Sequence, residues 1–122
     1  MKSNESAENY LETILTLSDR LPVVRSIDIV HELGYTKASV SIAMKNLREN
    51  GYITVTDEGY IKLTETGLEI ARMIFDRHTI LTHWLTSMGV PEDIASSDAC
   101  RIEHVISKES IEAIKRCISD NN

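Results

Sequence analysis

At 122 residues the chain suits one compact domain, or a small domain with an appended helical segment. Its 42% hydrophobic content is enough for a core, while no run approaches the roughly 18 apolar residues of a membrane span. The formal net charge of −6 argues against a nucleic-acid partner until its distribution is considered. Residues 20–62 carry six basic against five acidic side chains, and the surplus acid lies in 1–19 and 63–97. That balance permits DNA binding without demanding it. The start MKSNESAENY is polar and acidic, which is not a secretory signal. The expectation is a cytoplasmic protein with Cys100 and Cys117 reduced, and without a CxxC pair the two do not make a zinc finger.

In chain order, Ala7, Tyr10, Leu11, Ile14, Leu15 and Leu17 recur at mostly helical spacing, predicting a first helix over 5–19 that Pro22 ends. Ser26 can cap a second helix with Ile27, Val30 and Leu33 inward and Gly34 closing it. Thr36 caps a third, Lys37 to Asn50, that buries Val40, Ala43, Met44 and Leu47 before Gly51. Two short helices joined by a tight turn containing Gly describe a helix-turn-helix. The period then changes to two: Tyr52–Thr56 and Tyr60–Leu63 alternate as strands around Asp57-Glu58-Gly59, a hairpin of wing size. Thr64 caps a long helix over about 65–88, with Leu68, Ala71, Ile74, Phe75, Leu81, Leu85 and Met88 as its apolar face and Gly89 at its end. Pro91 suits the first turn of a helix running to about Ile106, and Ser107 caps a last helix with Ile111, Ile114 and Ile118 on one stripe. The fold class is mostly α with a small β-hairpin. The expected division is 1–63 as a winged helix-turn-helix DNA-binding domain and 64–122 as a helical domain, for which the residues below imply metal binding and dimerisation.

The second helix of a helix-turn-helix enters the major groove by its N-terminal residues, here Thr36, Lys37, Ala38, Ser39, Ser41 and Ile42. Small hydroxyl residues let it sit deep, Ala38 and Ile42 can touch thymine methyls, and Lys37 and Lys45 can reach phosphates. Arg25, and Lys62 on the wing, are further phosphate contacts. The bland alternative is a winged helix used for protein contacts, since fold alone does not fix function.

The chemistry concentrates in Asp98-Ala-Cys-Arg-Ile-Glu-His-Val-Ile-Ser107. Offsets of three and four place Cys100, Glu103 and His104 on one face of a helical turn. A thiolate, a carboxylate and an imidazole together are transition-metal donors. Singly each has an ordinary reading: a buried small residue for Cys100, a solvated face for Glu103, a surface pair for His78.

This string, with Arg77-His78, Asn9-Tyr-Leu-Glu12 and Leu63-Thr-Glu-Thr-Gly67, resembles the iron- and manganese-dependent repressors related to diphtheria toxin repressor, in their short form without an SH3-like domain. The resemblance covers nearly the whole chain. It implies a metal set of Asn9, Glu12, His78, Cys100, Glu103 and His104. Asn9 stands where the family usually has methionine or aspartate; Glu12 is similar to the manganese-type members and Cys100 to the iron-type ones. Thr82 and Ser96 occupy the positions of an iron-type second site, which therefore looks absent, and His83 sits one residue off. A thiolate favours Fe²⁺, Co²⁺, Zn²⁺ or Cu over Mn²⁺, whereas carboxylates and a carbonyl suit Mn²⁺. The expected cofactor is Fe²⁺ ahead of Mn²⁺, with Zn²⁺ or Co²⁺ able to bind in vitro.

The resulting expectation is a homodimeric, metal-activated transcriptional repressor, not an enzyme, bound to a pseudo-palindromic double-stranded operator. Val90, Ile94, Val105, Ile111 and Ile114 are candidates for the twofold seam. One competing reading is a metal-independent winged-helix regulator that senses a small ligand or partner. Another, a metalloenzyme with Glu103 as general base, lacks a motif such as HExxH and the length for a substrate cleft. His31, His83 and Cys117 have no assigned role.

Overall fold

The computed structural model of the chain describes residues 4–120. They form two compact units that divide between Arg72 and Met73. The elements are α1 (Glu5–Arg20), α2 (Ser26–Leu33), α3 (Lys37–Glu49), β1 (Ile53–Val55), β2 (Ile61–Leu63), α4 (Glu65–Ser87), α5 (Glu92–Ile102) and α6 (Lys108–Asp120). This is the expected class, a winged helix-turn-helix followed by helices. None of the described helices is long and apolar enough to cross a membrane.

In the first unit α1, α2 and α3 pack on one another and on the hairpin. Leu11 and Ile14 of α1, Ile29 of α2, Val40 of α3 and Ile53 and Ile61 of the wing are buried in one core, each removing apolar surface that stabilises the fold by about 1.5–3 kcal/mol. Asn4 caps α1 by accepting the Ala7 N–H at 2.7 Å. The start of α2 differs from expectation: Arg25, not Ser26, is the N-cap residue. The Asp28 carboxylate reaches back to accept the Arg25 N–H at 2.8 Å. An acid three residues into the helix outcompetes a hydroxyl because it also meets the positive end of the helix dipole. Gly34 then ends α2 at φ 70°, a left-handed backbone that most residues avoid. Tyr10 of α1 packs edge-on against Tyr35 of the turn, ring centroids 5.9 Å apart. Burial, with Tyr35 adding to it, pushes the Tyr10 phenol above its ordinary pKa.

Thr36 caps α3, its Oγ1 accepting the Ser39 N–H at 3.1 Å. Thr36→Ala is therefore expected to lower the unfolding free energy by about 1 kcal/mol. The check is a lower urea midpoint at unchanged slope, and an unmoved midpoint would mean that the cap contributes nothing.

The strands are one residue or more shorter than the alternation predicts. They pair antiparallel with Ile53 opposite Leu63 and Val55 opposite Ile61, and the Thr56 side chain closes the turn by accepting the Tyr60 N–H at 3.1 Å. Ile61 also donates its N–H to Val24 O at 2.7 Å, so the stretch after α1 covers the outer side of the wing. Thr64 joins wing to helix: its hydroxyl donates to Gly51 O at 2.7 Å and accepts the Gly67 N–H at 3.1 Å.

In the second unit Leu81, Ala99 and Ile111 form a small core, with Trp84, Ile102, Ile106 and Ile114 packed around it. Two apolar assignments change. Phe75 (43% exposed) and Met88 (57%) lie on the surface of the single chain, not on its apolar face. Ile111 is only 4% exposed, so it is spent on the unit's own core and is not free for a twofold seam. Val105 (74%) and Ile94 (50%) remain exposed. The α5 helix also stops at Ile102, four residues short of the expected end.

Candidate metal centre

The stop at Ile102 decides how the acidic donor is held. Pro91 opens α5 as its N-cap residue, and Glu92 and Asp93 in the first turn suit the helix dipole. At the other end Glu103 is the C-cap residue, still right-handed at φ −57° and ψ −27°, its N–H bonded to Ala99 O at 2.9 Å. His104 and Val105 follow in a turn. Glu103 is fully buried, and a buried carboxylate is costly unless it is paired and bonded.

Its pairing is half complete. Oε2 lies 2.9 Å from His78 Nδ1. Among the described residues Oε1 has no hydrogen-bond partner; the nearby imidazole of His104, its side chain only 3% exposed, brings Nε2 to 3.5 Å. On the far side of the His78 ring, Nε2 sits 3.3 Å from Ser96 Oγ. The Glu103 carboxylate can only accept, so the pairing takes Nδ1–H, and the Ser96 hydroxyl is placed to donate to Nε2. An orphaned buried oxygen costs about 1–3 kcal/mol, and a cation between carboxylate and imidazoles would remove that cost. The donor types fit a divalent transition metal such as Fe²⁺ or Mn²⁺.

Within the second unit His78, Glu103 and His104 come together, drawn from α4 and the turn after α5. Cys100 lies on the last turn of α5 and is exposed. The helix ends between Cys100 and Glu103: Glu103, the C-cap residue, is fully buried, whereas the Cys100 residue is exposed in the single chain. Asn9 and Glu12, on α1 in the first unit, are half-buried. His31 and His83 are exposed, as is Cys117. Thr82 and Ser96 line an open cleft of roughly 620 Å³ beside His78, together with His83 and Glu92. Thr82 Oγ1 is buried without a hydrogen-bond partner among the described residues.

Two residues with a part in this arrangement were not assigned from sequence. Ser96 was read only as a missing ligand, yet it approaches His78. Arg77 donates from Nη1 to Glu103 O and to Ile106 O, each at 3.1 Å. No local pattern announces either contact, because the partners are 18 and 26 residues away.

In the first unit Thr36, Lys37, Ala38, Ser39, Ser41, Ile42 and Lys45 are all exposed along α3, as are Arg25 and Lys62. Thr36 and Ser39 also bond to each other through their hydroxyls at 2.9 Å. The Arg25 guanidinium lies over the Tyr60 ring, 5.0 Å from its centroid, and donates to its hydroxyl at 3.3 Å. Arg25 is thereby ordered against the wing before any ligand arrives.

Residues 2–65 match the family model described as "Iron dependent repressor, N-terminal DNA binding domain", and residues 64–121 match "Iron dependent repressor, metal binding and dimerisation domain". The chain belongs to the iron-dependent repressor family. It is accordingly a metal-dependent DNA-binding transcriptional repressor and homodimer, not an enzyme. An HTH-type transcriptional regulator of Methanocaldococcus jannaschii is 32% identical over 114 residues, covering 92% of this chain and 91% of that one. The transcriptional regulator MntR of Salmonella typhimurium is 30% identical over 109 residues, covering 89% and 69%. Among solved structures, a manganese-dependent transcriptional repressor in complex with manganese superposes with a TM-score of 0.84 at 24% identity, covering 93% of this chain and 52% of that one. T. acidophilum IdeR gives 0.80 at 22% identity, covering 98% and 56%. These two likenesses concern the fold, and the repressor described here spans about half the length of each solved chain.

Proposed function

We propose that this repressor is switched by Fe²⁺, with Mn²⁺ next in preference, and that the ion is held by donors from Asn9, Glu12, His78, Cys100, Glu103 and His104. The observation that carries the proposal is the buried Glu103 carboxylate, paired to His78 through one oxygen and left without a hydrogen bond on the other. His104 is supported by its nearness to that second oxygen. Asn9 and Glu12 rest on the motif Asn9-Tyr-Leu-Glu12, and Cys100 on the Cys-Arg-Ile-Glu-His spacing. Thr82 and Ser96 supply no carboxylate or imidazole to a second iron-type site. The functional division falls at 63/64, between wing and α4, and the repressor works in the cytoplasm.

The DNA-reading residues proposed are Thr36, Lys37, Ala38, Ser39, Ser41 and Ile42 at the head of α3, with Lys45, Arg25 and Lys62 on phosphates. A dimer presents two such heads to a pseudo-palindromic operator. Metal can favour the DNA-competent state only by its differential affinity for it, so operator DNA must tighten metal binding by the same factor.

The test is fluorescence-anisotropy binding to the DNA upstream of the chain's own coding sequence, run anaerobically in chelator and then with Fe²⁺, Mn²⁺, Zn²⁺ or Co²⁺ separately. Binding that requires metal, strongest with Fe²⁺, is the expected result. Strongest binding with Mn²⁺ would reverse the preference. Equal binding in chelator would favour a metal-independent regulator instead.

A further inference from the structure

We infer that Arg77 is a positioning residue for the metal centre, its guanidinium fixing the turn that carries Glu103 and His104. The inference rests on the reading of Glu103 as a metal donor. The last carbonyls of a helix have no partner within it, and Glu103 is the C-cap residue of α5. Arg77 Nη1 meets two of the oxygens in this stretch, Glu103 O and Ile106 O, at 3.1 Å each. Both protons of one guanidinium nitrogen are thus used on the two ends of the four-residue connector before Ser107 caps α6.

Arg77 and His78 are consecutive on α4, so their side chains leave it about 100° apart. One grips the backbone of Glu103 while the other meets its carboxylate. Glu103 is in this way held at two points from one turn of a neighbouring helix. The connector's own backbone bonds, from Val105 and Ile106 N–H to Ile102 O at 3.0 Å, tie it only to the end of α5, and Val105 on its outer side is 74% exposed. A donor whose backbone can drift by an ångström is a poor ligand, since productive sites need placement within about 0.5 Å. A merely structural clamp would act on stability alike with or without a well-placed carboxylate; a positioning clamp acts on metal affinity and depends on that carboxylate.

The full chain is titrated with Co²⁺ alone, anaerobically, by calorimetry, alongside thermal unfolding in chelator. Arg77→Gln is expected to weaken Co²⁺ binding by about 10–100-fold, and Arg77→Lys, which keeps a cationic donor, by less. In a Glu103→Asp background, where the carboxylate is already withdrawn by one methylene, Arg77→Gln should add a smaller loss than it causes in the parent. Should Arg77→Gln not fold, Arg77→Lys carries the same comparison. Unchanged Co²⁺ affinity beside a lowered unfolding midpoint, or equal losses in the two backgrounds, would overturn the inference. Glu103→Gln that binds Co²⁺ as the parent does would overturn the metal reading itself, and the inference with it.

Discussion

Glu103→Gln is expected to abolish the metal response while leaving the apo fold within about 1 kcal/mol of the parent. The change is isosteric and removes a charge from a fully buried position. The amide oxygen can still accept from His78 Nδ1, now 2.9 Å from Oε2. What disappears is the anionic oxygen that has no hydrogen-bond donor of its own. For the parent, a metal present at 100 times its Kd stabilises the fold by about 2.7 kcal/mol; for the variant the thermal midpoints in chelator and in metal should coincide. Anisotropy should show operator binding no stronger with Fe²⁺ or Mn²⁺ than in chelator. Glu103→Ala should lose the same DNA response, with an added cost for the cavity it leaves. A metal-induced rise in midpoint equal to the parent's would remove Glu103 from the donor set.

The second large effect has an unusual sign. In a helix, exchanging Gly for Ala normally stabilises by about 0.5–1 kcal/mol. Gly67 lies in the first turn of α4 and is buried. A Cβ built there would stand 2.0 Å from Tyr52 O and 3.0 Å from Tyr52 C. Those are backbone atoms held on both sides: Tyr52 N–H bonds to Leu47 O, and Tyr52 O accepts from Thr64 N–H, each at 3.0 Å. No side-chain rotation can relieve the overlap, so the start of α4 must move away from the wing. Gly67→Ala should therefore destabilise the first unit by about 3 kcal/mol, the upper end of ordinary overpacking. It should also weaken operator binding, because Tyr52 leads directly into β1. Urea unfolding decides the sign, and a stabilised variant would mean that helix and wing do not approach so closely.

The elements themselves were largely legible. Pro22, Gly34, Thr36, Gly51, Thr64 and Ser107 mark boundaries through the backbone chemistry of a few neighbouring residues. The apolar spacing of Leu11, Ile14, Val40 and Leu47 gave the core of the winged unit, because a helical face is a property of offsets three and four. The string around Glu103 and His104 likewise located the region of the metal centre.

Longer-range choices were not legible. That α5 stops at Ile102, that Glu103 is held at the cap, and that Ser96 meets His78 all depend on α4 side chains many residues earlier in sequence. Periodicity likewise could not say that Ile111 would be consumed by an inner core while Phe75 and Met88 stayed at the surface. Helices, wing and donor-bearing string can be placed from neighbouring residues alone, since hydrogen bonding and capping act within one turn. Which donors converge is a matter of packing and of capturing the carbonyls a helix leaves unpaired at its end, and so needs the folded chain.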